Sequence, residues 1–149
     1  MNRRILLVED NESDEKLTLL AFKKAGIAND VSVVRDGAAA LEYLFATGEH
    51  AGGPGTANLA IVLLDLNLPK ISGLDVLRQL RANEHTKLLP VIVLTASREQ
   101  EDVLRSYSLG ANAYVRKPVA FAEFVEAART LGLFWLLVNQ PPPTATRAQ

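Results

Sequence analysis

The chain has 149 residues, of which 48% are hydrophobic and 22% charged, as expected for one soluble globular domain. Its formal net charge of -1 argues against a nucleic-acid or membrane-binding surface, and the lack of cysteine excludes disulfides, thiol nucleophiles and thiolate metal sites. The apolar run after Met1–Arg4 is too short for a signal peptide, and no segment approaches the roughly 20 apolar residues of a membrane span. We therefore expect a cytoplasmic protein.

Short apolar runs alternate with helical patterns along the whole chain. The predicted strands cover residues 5–8, 31–34, 60–64, 91–94 and 113–116. The predicted helices start near Asn11, Ala38, Ser72, Glu99 and Ala120. The first helix is predicted to have Leu17, Leu20, Ala21 and Ala25 among its apolar positions and Gly26 as its C-cap. A glycine-rich segment, 47–58, is predicted to be a flexible surface loop with a solvated His50. The third strand is apolar throughout, which is typical of a strand buried on both faces of a parallel sheet. The alternation predicts a single α/β domain, a doubly wound (βα)5 sandwich.

Polar residues follow four of these strands at the point where each strand ends. Glu9 and Asp10 follow the first strand, Asp65 the third, Thr95 the fourth and Lys117 the fifth. Taken alone, Asp65 is either a reactive carboxylate or a turn residue before Pro69. The carboxyl ends of parallel strands meet at one edge of the sheet, where open α/β sheets bind ligands. We therefore expect these side chains to converge.

Carboxylates gathered in this way repel one another, and a hard divalent cation such as Mg²⁺ relieves that repulsion. A lysine adds fixed positive charge, and a threonine adds a hydroxyl donor. Together with a carboxylate nucleophile, these groups indicate a phosphoryl-transfer site.

The motifs around these residues resemble those of receiver domains in two-component response regulators. They are Leu7-Val8-Glu9-Asp10-Asn11, Leu64 to Pro69 followed by Ser72-Gly73, Leu94-Thr95-Ala96 and Lys117-Pro118. The similarity extends from Arg4 to about Ala128 and implies a flavodoxin-like fold with a five-stranded parallel sheet of order 2-1-3-4-5. The first acidic residue is Glu9, where the family usually has aspartate.

The resemblance also implies a role for each site residue. Asp65 would accept the phosphoryl group. Asp10, Asp65 and the backbone carbonyl of Asn67 would bind Mg²⁺, with Glu9 acting through water. Thr95 and Lys117 would hold the phosphoryl group, and Thr95 and Tyr114 would form the conformational switch.

Other segments are similar to the small response regulators that partner bacterial phytochrome histidine kinases. These segments are Ser106 to Tyr114, the Phe134-Trp135 pair and the glycine-rich loop around 48–55. The resemblance implies that a sensor histidine kinase of the phytochrome type phosphorylates the chain. A stand-alone receiver would then signal by binding other proteins.

Two other functions compete with this interpretation. A phosphatase of the haloacid dehalogenase kind also uses an aspartate nucleophile and magnesium, but it needs a second acid two residues later, where this chain has Asn67. A pseudo-receiver that only binds partners would have lost Asp65, Lys117 or an acidic residue, and all are present. Both alternatives are therefore disfavoured.

The last predicted helix extends the domain to residue 140, and Pro141 to Gln149 is predicted to be a disordered tail. At about 100° per residue, one helix stripe is apolar and faces the sheet; it contains Phe121, Phe124, Val125, Ala128, Leu131, Trp135 and Val138. The opposite face changes from Glu123, Glu126 and Thr130 to Leu133, Phe134 and Leu137. A helix end that is apolar all round predicts a homodimer in which these last three residues, with neighbouring parts of the fourth helix and fifth strand, pack against a symmetry mate. The alternative is a break at Gly132 that folds them back onto the domain.

Overall fold

The computed structural model describes residues 3–96, 99–117 and 120–131, the last of these without its side chain. Strands and helices alternate along these residues. The strands are β1 (Arg4–Val8), β2 (Val31–Val34), β3 (Leu59–Leu64), β4 (Val91–Thr95) and β5 (Ala113–Arg116). The helices are α1 (Glu12–Lys24), α2 (Gly37–Phe45), α3 (Gly73–Ala82), α4 (Gln100–Ser108) and α5 (Phe121–Leu131).

The strands form one five-stranded parallel sheet in the order β2-β1-β3-β4-β5. Ile5 pairs with Val31 on one side and Ile61 on the other, while Val62 pairs with Val91 and Ile92 with Ala113. The predicted fold class and strand order are confirmed. The order changes direction between β1 and β3, so the crevice where such sheets bind ligands lies beside the residues after those two strands.

Two apolar layers cover the sheet, one on each face. On β1, Leu6 and Val8 belong to the layer built with α2 and α3, while Ile5 and Leu7 belong to the layer built with Phe22 of α1. This alternation follows from the period of two in a strand. β3 contributes to both layers and is buried along its whole length, as its continuous apolar sequence predicts.

Helix α1 presents a different face to the core from the one suggested by its leucines. Leu17 and Leu20, counted among its apolar positions, are 48% and 50% exposed, whereas Thr18, Ala21 and Phe22 are buried. Gly26 has φ +81° directly after the helix, and Ile27 N donates to the carbonyl of Phe22 across it. The glycine therefore ends the helix as predicted.

Helix α5 shows the predicted division into two faces over the residues that the structure describes. Ala128 is buried in the α1 layer, and Phe121, Phe124 and Val125 are half-buried. The opposite side, with Glu123, Glu126 and Thr130, is exposed. The predicted continuation of the helix, the dimer residues Leu133, Phe134 and Leu137 and the tail lie outside the described residues.

The glycine-rich segment predicted as a flexible loop is tied to the sheet. It contains a short 3-10 helix, Gly48–His50, and the guanidinium of Arg4 donates to the carbonyl oxygens of Gly55 (3.0 Å) and Ala57. The His50 ring packs edge-on against Tyr43, with centroids 5.3 Å apart. The loop therefore has internal order, and His50, predicted to be solvated, is half-buried. In the described part of the chain, no helix combines the length and apolar character that crossing a membrane demands.

Candidate functional site

Three of the predicted site residues lie at the carboxyl edge of the sheet because each extends a strand ladder by one residue. Glu9 N donates to the carbonyl of Val34 at 3.0 Å, and Asp65 N donates to that of Val8 at 3.1 Å. On the far side of the sheet, Lys117 N donates to the carbonyl of Thr95 at 2.8 Å. These backbone hydrogen bonds therefore fix the positions of the three residues independently of their side-chain contacts.

Three carboxylates form the acidic half of the site. Glu9, Asp10 and Asp65 each provide an oxygen, and these oxygens lie within 4.8 Å of one another. Asp10 is exposed, whereas Glu9 and Asp65 are only 1% and 6% exposed. Two of the three negative charges are therefore largely removed from water, which is costly unless cations compensate them.

Lys117 supplies such a cation within the chain. Its Nζ lies 2.8 Å from Glu9 Oε1, 2.8 Å from Asp14 Oδ2 and 3.3 Å from Asp65 Oδ2. An ammonium group has three donors, so these three carboxylates can use all of them. Lys117 therefore joins the acidic pair after β1 to the aspartate after β3.

The burial and the charges at the site shift two pKa values. Burial raises the pKa of Glu9 to about 7; the hydrogen bond from Lys117 opposes this rise, and the charge of Asp65 adds to it. Burial also works against the charge of Lys117, but its hydrogen bonds to Asp14 and Glu9 and the negative charge of Asp65 outweigh that effect. The pKa of Lys117 therefore lies above its usual range.

Asn67 and Thr95 line the other side of Asp65. The backbone N–H of Asn67 donates to Asp65 Oδ1 at 3.1 Å, which holds the carboxylate in a local turn. The amide Nδ2 of Asn67 lies 3.5 Å from Thr95 Oγ1, and Thr95 is fully buried as the last residue of β4. The hydroxyl predicted to act beside Asp65 therefore lies at the same edge of the sheet.

Because residue 73 is glycine, the start of α3 can lie close to the backbone of Asp65. A Cβ atom at this position would lie 2.2 Å from the carbonyl oxygen of Asp65 and 2.6 Å from the Cα of Leu66. The backbone N–H of Gly73 donates to the carbonyl of Leu66 at 3.0 Å. Ser72 caps α3 by accepting from Asp75 N, so α3 starts against the site.

Asp14 is the site residue that the sequence analysis missed. It occupies the first turn of α1, and its backbone N–H donates to Oδ1 of Asn11, the helix cap, at 2.9 Å. Because α1 begins directly after the acidic pair, this turn lies at the same edge as the strand ends. The other acids of the turn, Glu12 and Glu15, pair with Lys16 and Arg35 instead.

Tyr114, the predicted switch residue, lies on β5, two strands away from β3 and the Asp65 that follows it. It pairs with Val93 within the β4–β5 ladder. Its half-buried side chain packs against the layer formed with α2 and α3. The structure thus places Tyr114 on β5, which contacts α4, rather than among the charged groups of the site.

The acidic half of the site fits a hard divalent cation. Its donors are carboxylate oxygens, which Mg²⁺ prefers, and three of them are close enough to share one ion. Backbone carbonyls suit the same ion, so Asn67 beside Asp65 is compatible with the predicted ligand set. Lys117 partly compensates the charge of this cluster because it contacts carboxylate oxygens of Glu9 and Asp65.

Comparisons with known proteins agree with this geometry. A family model for the response regulator receiver domain matches residues 5–129. Probable methanogenesis regulatory protein FilR2 of Methanothrix harundinacea is 40% identical over 141 residues, which cover 95% of this chain and 88% of FilR2. Response regulator Rcp1 of Synechocystis is 39% identical over 132 residues, which cover 89% of this chain and 88% of Rcp1.

Solved structures of related proteins have the same fold as this chain. The bacteriophytochrome response regulator AtBRR is 51% identical, with a TM-score of 0.76 over 94% of this chain and 99% of AtBRR. The Mn²⁺-bound form of Rcp1 is 35% identical, with a TM-score of 0.82 over 95% of this chain and 99% of that one. The fold, the charged edge of the sheet and these matches show that the chain belongs to the response regulator receiver domain family.

Proposed function

We propose that this receiver accepts a phosphoryl group on Asp65 from a phosphorylated histidine of a sensor kinase. One observation carries the proposal: the Asp65 carboxylate is clustered with Glu9 and Asp10, which could share a divalent cation with it, and lies 3.3 Å from the Lys117 ammonium. Lys117, together with a cation held by the clustered carboxylates, would compensate the negative charge of an incoming phosphoryl group.

The transfer forms one bond and breaks one. A carboxylate oxygen of Asp65 forms the new O–P bond while the N–P bond to the kinase imidazole breaks, and the electron pair leaves with the imidazole nitrogen. Lys117 donates to the phosphoryl oxygens as their charge changes, and the Thr95 hydroxyl offers a second donor. Catalysis of this kind is mainly positioning and charge compensation.

The proposal includes dependence on Mg²⁺. Glu9, Asp10, Asp65 and the backbone carbonyl of Asn67 would hold the ion, with Glu9 acting through water. A cation bound there would offset the repulsion between these carboxylates and the anionic phosphoryl group. The three clustered carboxylate oxygens support this assignment, as does the Mn²⁺-bound structure of Rcp1.

The kinase partner is proposed to be of the phytochrome type. The support is the similarity to AtBRR, whose name describes a bacteriophytochrome response regulator. Kinases of this class take their phosphoryl group from ATP, so the proposal also places the protein in the cytoplasm. Phosphotransfer from a panel of purified kinases, phytochrome kinases included, tests the partner; equal or faster transfer from unrelated kinases would contradict it.

The output is proposed to be protein–protein contact, including a homodimer formed through Leu133, Phe134 and Leu137. Within the described residues, Leu104 and Tyr107 of α4 are large apolar side chains left more than half exposed. Apolar groups exposed near one another are common at protein contact surfaces. They lie on the helix next to β5, where the switch residue Tyr114 is located.

Intact mass spectrometry after incubation with a small phosphodonor tests the proposed function. Wild type with Mg²⁺ should gain the mass of one phosphoryl group, and wild type with a chelator should gain little. Asp65→Asn should gain none under either condition. Equal labelling of Asp65→Asn, or labelling that ignores the chelator, would refute the assignment.

A further inference from the structure

Asp14 contacts Lys117 but is not one of the three clustered carboxylates that could share a cation. Its Oδ2 lies 2.8 Å from Lys117 Nζ, closer than the 3.3 Å that separates Asp65 Oδ2 from the same nitrogen. The clustered oxygens that could share an ion belong to Glu9, Asp10 and Asp65. Asp14 therefore acts on the lysine side of the site.

The position of Asp14 is fixed by its helix rather than by a strand end. Its backbone is held by the Asn11 cap at 2.9 Å in the first turn of α1. Its side chain is 35% exposed, compared with 7% for the side chain of Asp65. Asp14 thus holds the outer side of the ammonium group while Asp65 holds the inner side.

We propose that Asp14 is a positioning residue that restrains Lys117 and competes with the phosphoryl group for one of its three donors. This inference rests on the proposed phosphorylation of Asp65. A phosphoryl group on Asp65 would bring new acceptor oxygens and more negative charge to a lysine whose donors the carboxylates can already use. Binding the phosphoryl group fully then requires Lys117 to weaken its bond to Asp14.

The competition predicts that weakening Asp14 as an acceptor strengthens binding of a phosphoryl group. Asp14→Asn keeps a neutral acceptor of the same shape, and Asp14→Ala removes it. Asp14→Glu keeps the charge. The probe is beryllofluoride, a tetrahedral mimic of the phosphoryl group, titrated into the protein at fixed Mg²⁺ and fluoride and followed by calorimetry.

We expect Asp14→Asn and Asp14→Ala to bind the mimic about threefold to tenfold more tightly than wild type, the range expected for one partly exposed charged hydrogen bond. Asp14→Glu should stay nearer to wild type. Glu12→Gln is the matched control, since it removes the same charge from the same turn, and Glu12 pairs with exposed Lys16 at 3.6 Å. Its affinity should remain within about twofold of wild type, because its field at the site is screened.

The affinities measured for these variants distinguish the possible roles of Asp14. Weaker binding in Asp14→Asn and Asp14→Ala would mean that Asp14 only orients the lysine, and unchanged binding would mean that it has no role; both overturn the competition. If Glu12→Gln bound the mimic as tightly as the Asp14 variants, the effect would be due to net charge alone, and the competition would again be overturned. Loss of helix stability cannot imitate the expected result, because it would not tighten binding. If wild type fails to bind the mimic with Mg²⁺, the proposed function fails instead.

Discussion

The buried carboxyl of Glu9 makes the stability of the metal-free protein depend on pH. In the folded state the pKa of Glu9 is about 7, whereas its ordinary value is 4.5. Between these values the unfolded chain has released this proton and the folded chain still holds it. The contribution of Glu9 to stability is therefore complete below about pH 4.5 and is lost as the pH rises through 7.

We predict that Glu9→Gln removes this dependence. In chelator, the free energy of unfolding of wild type relative to Glu9→Gln should fall by about 3 kcal/mol as the pH rises from 4.5 to 7.5. Lys117 adds nothing in this window because its pKa is raised from 10.5, far above it. Urea unfolding of both proteins at several pH values measures the difference. A constant difference would show that Glu9 ionises equally in both states.

The residues of the site were predictable to the extent that they lie at strand ends. Glu9, Asp10, Asp65, Thr95 and Lys117 are all brought to one edge of the sheet. Asp14 was not predictable in this way because it comes from a helix turn that also carries Glu12 and Glu15. Composition does not distinguish these three acids, and only the direction of α1 over the sheet edge brings Asp14 to Lys117.

The turn between β3 and α3 depends on Gly73 for steric reasons. Since a Cβ atom there would meet the backbone of Asp65 at 2.2 Å, Gly73→Ala must move the loop that carries Asp65. We predict a loss of more than about 2 kcal/mol in the free energy of unfolding, and a lower rate of phosphorylation.

Gly26→Ala is the control for this substitution. Gly26 has φ +81°, and a Cβ atom added there would meet no other atom within 4 Å. Alanine at this position should therefore cost only about 1 kcal/mol and leave phosphorylation unchanged. Chemical denaturation and initial labelling rates compare the two variants. Equal losses of stability and labelling rate in the two variants would show that the chain accommodates a Cβ atom at residue 73 without further loss of stability.

Thr95 is expected to couple the site to α4 and β5. A phosphoryl oxygen on Asp65 would offer the buried Thr95 hydroxyl a charge-assisted hydrogen bond and draw the loop after β4 inward. The space vacated would let Tyr114 turn inward. Amide resonances of α4 and β5 should therefore shift when beryllofluoride and Mg²⁺ are added to wild type or Thr95→Ser, and shift much less in Thr95→Ala. The same response in Thr95→Ala would contradict the coupling.

Periodicity predicted the elements well where one face is strongly buried and less well where apolar residues are exposed. The buried run of β3 and the two faces of α5 follow their patterns. Leu17 and Leu20 do not, because α1 packs through Phe22 and Ala21 and leaves both leucines half exposed. The contacts of the glycine-rich loop could not be predicted from its own sequence, since they come from Arg4, more than fifty residues away.

At the scale of the whole molecule, the expected assembly is a homodimer through Leu133, Phe134 and Leu137. An apolar helix end needs a second cover, which a symmetry mate can supply. Sedimentation velocity should show wild type as a dimer at tens of micromolar, and Phe134→Glu and Leu137→Glu as monomers. Glu123→Lys, on the exposed face of α5, is the control and should remain dimeric. A monomeric wild type, or dimers in both glutamate variants, would contradict the assembly.

Phosphorylation of Asp65 is the central claim, and the most direct measurement locates the acyl phosphate among the neighbouring acids. Wild type is labelled with a phosphodonor and Mg²⁺, reduced with borohydride to convert the acyl phosphate to an alcohol, digested and sequenced by tandem mass spectrometry. We predict that the reduced residue is Asp65 alone. Reduction at Glu9, Asp10 or Asp14, or at no acid of the site, would contradict the account.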